Sequence, residues 1–151
     1  MKNIPCEDFW NLVVKPTIDE FLENPNSFQR TVLAVWSLDS MVSHMSYENK
    51  YNPNSLNEVD FKNKLAVEVK TFNSIREASN SLKHAVRNSN SQTEGSNSIE
   101  IRERGWGEAE WGVDEFGGTP IPLVNFKTGS SSSLKYSIDD FSSWIQIKIF
   151  S

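Results

Sequence analysis

The sequence predicts an α+β fold that is mainly α: an antiparallel helical bundle with a small C-terminal antiparallel sheet. Three observations lead there. Apolar residues recur in steps of three and four over most of the first 88 positions. A polar run rich in Asn and Ser then interrupts the pattern at 88–98. Beyond it come short alternating segments punctuated by Gly and Pro, as strands and turns are.

The first predicted helix covers about 6–23, with Phe9, Trp10, Val13, Val14, Ile18, Phe21 and Leu22 at helical spacing. Pro16 lies inside it and lacks an amide hydrogen, which predicts a kink or break near Val14 and Lys15. The second spans about 28–47 behind Ser27 as N-cap, and is apolar around most of its circumference, the mark of a central helix. Asp39 interrupts that apolar surface, so it should be partly buried and should have a partner on another helix, Arg76 or His84.

Ser55 and Glu58 have capping-box spacing, and Phe61, Leu65, Val69, Phe72, Ile75, Ser79, Leu82 and Val86 follow in steps of three and four. This predicts one long helix over 55–88, with room for a bend at 71–73. The 88–98 run reads as a mobile link. Strands are expected at 98–104, 121–127 and 134–136, with the serine run at 130–133 as a loop, all within a sheet at about 98–136. A last helix at about 137–149 opens on Ser137 and carries Phe141, Trp144, Ile145 and Ile149. The whole reads as one domain over 1–151, with the sheet region and final helix (98–151) laid on the bundle (1–88).

Composition narrows the function classes. The net charge is −5, which opposes broad nucleic-acid binding. Two His and one Cys, far apart in sequence, cannot build a structural zinc site, so no metal and no cofactor are expected. Nothing resembles a signal peptide or a membrane span, and the expected location is the cytoplasm.

Arg76, Asn80 and His84 are spaced in fours, which would set them along one flank of the long helix, Arg76 within about 20° of the apolar seam. An imidazole there could remove a ribose hydroxyl proton while a guanidinium stabilises charge on phosphate, with Asp39 and Lys83 in support. The same three residues also fit a purely structural hydrogen-bond network, with Lys83, His84 and Arg87 suiting the negative end of a helix. Asp39 and His44, five residues apart on one helix, point about 140° from each other and should not pair. Trp106, Trp111 and Phe116, in a Gly-punctuated segment, are candidate interface residues.

Phe9, Trp10, Pro16, Thr17, Phe21, Arg30, Leu38 and Asp39, then Arg76, Asn80, Leu82, Lys83 and His84, give residues 6–88 a pattern that resembles the HEPN superfamily of bacterial helical-bundle proteins. That resemblance implies a helical bundle, and in catalytic members a dimeric, metal-independent ribonuclease site built on Arg and His, here Arg76 and His84. Two function classes follow. One is an intracellular protein-interaction or regulatory module, a homodimer or the binder of another protein. The other is a HEPN-like ribonuclease or toxin of a defence or toxin–antitoxin system, and only that one calls for RNA as partner.

Overall fold

The computed structural model describes residues 3–102 and 120–151. The element order is α1 (Cys6–Phe9), a π-helical turn (Trp10–Val14), α2 (Lys15–Glu23), α3 (Phe28–Ser46), α4 (Glu58–Glu68), α5 (Lys70–Lys83), a 3-10 turn (Ser96–Ser98), β1 (Ile99–Arg102), β2 (Ile121–Asn125), β3 (Ser131–Ser133) and α6 (Leu134–Phe150). The expected α+β, mainly α class is what is seen.

The first helix absorbs Pro16 without breaking. Pro16 falls in the first turn of α2, where its missing N–H would have had no helical partner. The mismatch is taken up one turn earlier: the Lys15 N–H bonds the Trp10 carbonyl, five residues back, which makes Trp10–Val14 a π-bulge. Thr17 Oγ1 donates to the Val13 carbonyl at 2.6 Å, giving that oxygen a partner.

Helix α3 is central, contacting α1, α2, α4, α5 and α6. Ser27 caps it as expected, its hydroxyl accepting from the Arg30 N–H at 3.3 Å. Ala34, Val35, Leu38, Met41, Val42 and Met45 face one continuous core shared with Trp10, Val14 and Phe21 from the first helix. From the C-terminal side Phe141 enters it, its ring 5.0 Å from that of Phe72.

The long helix expected over 55–88 is instead two. Val69, with extended backbone (φ −123°, ψ 99°), separates α4 from α5. The apolar spacing runs straight across this single-residue joint, and neither Pro nor Gly marks it. The capping box at Ser55 is also replaced. Ser55 has positive φ, and Asn57 caps α4 by accepting from the Asp60 N–H at 2.9 Å. Helix α5 ends at Lys83, so His84 is its C-cap, in extended conformation.

The 88–98 run is not a loose link. It folds back on α5 with Thr93 and Ser98 buried, the Ser96 N–H bonded to the His84 carbonyl at 3.1 Å, and the Arg87 N–H to that of Glu94 at 2.7 Å. Gly95 makes the approach possible: at φ 154° a Cβ there would run into the Ala85 carbonyl oxygen. Gly95→Ala is therefore expected to cost about 2 kcal/mol, read as a lowered urea midpoint with an unchanged slope.

The sheet is antiparallel in the order β1-β2-β3, with Ile99 opposite Val124 and Leu123 opposite Ser133. Pro122 is tolerated in the middle strand because β3 pairs only as far as Leu123, so beside Pro122 that flank of β2 has no neighbour in β3. The serine run supplies β3 rather than a loop, and the segment expected to be a strand at 134–136 is the first turn of α6. Ser133, not Ser137, caps that helix, accepting from the Tyr136 N–H at 3.2 Å.

Candidate functional site

The Arg76–Asn80–His84 row does not converge. Helix α5 buries Phe72, Ile75, Ala78 and Ser79 toward the bundle and also Ser74, Glu77 and Ser81, leaving Arg76 and Asn80 on its outer flank rather than beside the seam. The Arg76 guanidinium donates to Asn63 Oδ1 of α4 at 2.7 Å. The exposed His84 side chain lies beyond the last turn, and no hydrogen bond joins the three residues to one another. Eight residues of helix would separate Arg76 from His84 by about 12 Å along the axis. Within one chain they do not form a common site.

The two residues expected in support do meet. Asp39 is 4% exposed, and the ammonium groups of Lys62 and Lys83 lie 2.9 and 3.1 Å from its two carboxylate oxygens. Ser79 Oγ donates to the same carboxylate at 2.7 Å. The cross-helix partner anticipated for Asp39 thus exists, but it is this trio rather than Arg76 or His84. Burial pushes the carboxyl upward, yet Lys62, the Ser79 hydrogen bond and Lys83 outweigh it and hold Asp39 below its ordinary value. Lys62 also lies 3.4 Å from Glu58, which accepts from Ser43 Oγ at 2.7 Å. With Ser79 wholly buried and Lys62 nearly so, the cluster ties α3, α4 and α5 together and leaves substrate no access to the carboxylate.

A second buried network holds the 84–98 strap. Arg87 Nη1 lies 2.5 Å from Glu77 Oε2 and 2.7 Å from Thr93 Oγ1, which in turn is 2.5 Å from Ser81 Oγ. Cys6 offers no reactivity: its thiol is buried, and burial with the neighbouring Glu48 carboxylate pushes its pKa up to about 12.

What reaches solvent is a face of unusual composition. Two contacts fix the register of the first helix against α3: the Phe9 ring stacks on His44 with centroids 3.9 Å apart, and Arg30 Nη1 donates to the Glu20 carbonyl at 2.8 Å. Between them Leu12 is 74% exposed, and Val13, Leu33 and Trp36 are also exposed. The exposed residues of α3 are Phe28, Gln29, Leu33, Trp36 and Ser40, with Tyr47 just past its end, and none is charged; the half-buried Arg30 turns to the Glu20 carbonyl. A solvent-facing helix normally carries its charges there.

Comparison of the chain with protein-family models, curated proteins and solved structures finds no match. Among the described residues no group of His, Cys, Asp and Glu could hold a metal ion, and no helix is long and apolar enough to cross a membrane. Trp106, Trp111 and Phe116 lie outside the described residues. No pattern of single residues signalled the uncharged α3 face. It becomes visible only when the buried positions of the helix are set apart from the exposed ones.

Proposed function

We propose that the protein is a cytoplasmic interaction module that pairs with a second copy of itself through the outer face of its first helix and α3. The observation that supports this is the absence of charge at the exposed positions of α3, combined with Leu12, Leu33 and Trp36 in solvent. Interface cores are depleted in charge and enriched in aromatic residues, and Trp is a frequent energetic anchor. A neutral apolar patch is also its own complement across a two-fold axis, where a charged patch would repel its copy.

Sedimentation velocity over a concentration series tests the proposal. Wild type is expected to sediment as a dimer at micromolar concentration. Leu12→Ser and Trp36→Glu should each weaken it by about 2 kcal/mol, a roughly 30-fold rise in Kd. Leu12 is 74% exposed in the single chain, so circular dichroism and thermal unfolding of monomeric Leu12→Ser should not change. A wild type that stays monomeric up to about 100 μM would overturn the proposal. RNA cleavage that persists in EDTA and disappears in His84→Ala would overturn the interaction-module role, though not the pairing, and assign the HEPN-like ribonuclease reading, with His84 as base and Arg76 as phosphate ligand.

A further inference from the structure

Between the first turns of α5 and α6 lies a pocket of ≈ 230 Å³, whose lining includes Lys70, Thr71 and Ser74 from α5, Ser132 and Ser133 from β3, and Ser137 from α6. No carboxylate is among its lining residues. Four features of it point the same way.

The pocket lies at two helix N-termini, where amide groups lack helical acceptors and the peptide dipoles favour negative charge. Helix α5 has no side-chain cap at all, and on α6 Ser133 accepts only the Tyr136 N–H. Lys70 brings a cation with no acidic partner among the described residues. The nearby acid Asp140 accepts a hydrogen bond from Thr71 Oγ1 at 2.9 Å.

The fourth feature is the most specific. Ser74 and Ser137 are 7% and 3% exposed, both line the pocket, and neither hydroxyl makes a hydrogen bond. A serine buried in a helix ordinarily donates to a carbonyl of the preceding turn, as Ser81 does to Glu77 at 2.7 Å. Two hydroxyls with no partner in the protein, each keeping some contact with solvent, beside a free ammonium group and two helix starts are donors available to an anion.

The small pocket opens into a larger one of ≈ 540 Å³, which shares Lys70, Ser74 and Ser132 with it and adds Asn73, Gln92 and Lys127. Asn73, Gln92 and the hydroxyls suit a polar, hydroxyl-bearing body, with Phe126 and Ala66 as an apolar wall, while Lys127 is turned to the Asn88 and Ser89 carbonyls. We infer that the pair of pockets binds a small phosphate monoester, with the phosphate between Lys70, Ser74 and Ser137 and the remainder lying toward Asn73 and Gln92. Nothing in this depends on the pairing of two copies.

Calorimetric titration with inorganic phosphate, glucose 6-phosphate and AMP, against glucose and adenosine, tests it. Phosphate itself is expected to bind, one or both esters to bind more tightly, and the two uncharged compounds not at all. A preference between the esters tells a sugar phosphate from a nucleotide. Ser74→Ala with Ser137→Ala should fold at least as stably as wild type, because only unpaired hydroxyls are lost, yet bind the preferred ester about tenfold more weakly. Lys70→Gln should also weaken it, and Lys64→Gln, a lysine outside the pocket, should not. No heat and no amide shift at about 10 mM ester would overturn the inference. An unchanged affinity in the double serine variant, or an equal loss in Lys64→Gln, would overturn it as well.

Discussion

Asp39→Ala is expected to lower the stability of the protein by about 3 kcal/mol, at the low end of the range for breaking a buried ion pair. The cost arises from what remains. Lys62, its side chain 12% exposed, would keep a charge with only Glu58 at 3.4 Å to answer it, and Ser79 Oγ would lose its acceptor. Lys83, 49% exposed, would turn to water at little cost. Asp39→Asn keeps the volume and an acceptor for Ser79, so it should cost less than the alanine variant while still losing the charge.

The effect has a defined pH dependence. The folded state holds the Asp39 carboxyl below its ordinary value of 3.8, so the unfolded chain takes up its proton first as pH falls. The stabilisation is therefore complete above about pH 4 and is lost as pH drops through the depressed folded value. Urea midpoints of wild type and Asp39→Asn should differ at neutral pH and draw together below that point. A gap that stays constant into strong acid would mean that the carboxylate's charge is not what stabilises the cluster.

Arg87→Met should cost a similar amount, about 3–5 kcal/mol, by stranding the Glu77 carboxylate, whose side chain is 10% exposed. The damage should concentrate in one place. Arg87 joins α5 to the strap through Glu77 and Thr93, so hydrogen exchange should accelerate at the amides of 84–98 before it does in α3. The double variant with Glu77→Met removes both charges together and should recover most of the loss, since a buried pair can be replaced by apolar groups at little net cost. If the double variant is as unstable as the single one, packing rather than charge accounts for the effect.

Both networks bear on what could be read in advance. The burial of Asp39 was legible from its place among Val32, Val35 and Leu38, since a carboxylate amid apolar neighbours must have partners. Which partners they are was not legible. They depend on the lateral placement of Lys62 and Lys83, and that placement follows from the joint at Val69. A helix run through that joint gives a different rotation to everything after it, which is why spacing sets Arg76 beside the seam while the structure has it on the outer flank. The buried polar residues Ser74, Glu77 and Ser81 escaped notice for a related reason. Apolar spacing shows only the side of α5 that meets α3, while the strap supplies polar partners to Glu77 and Ser81 and Ser74 turns to the pocket beside α6.

The serine run at 130–133 makes the same point for strands. Its hydroxyls show no alternation, and nothing local favours a strand there; pairing with β2 confers it. In this protein the local chain determined that 6–23 and 28–46 are helical, how Ser27 begins α3, that Pro16 must be accommodated, and that α3 lies at the centre. Those outcomes rest on apolar spacing and on backbone groups within a few residues of one another. Only the tertiary structure decided which charges meet, where the strap closes and which polar groups are left unpaired between α5 and α6. Such contacts join residues far apart in the chain, and their geometry shifts with a single joint in a helix.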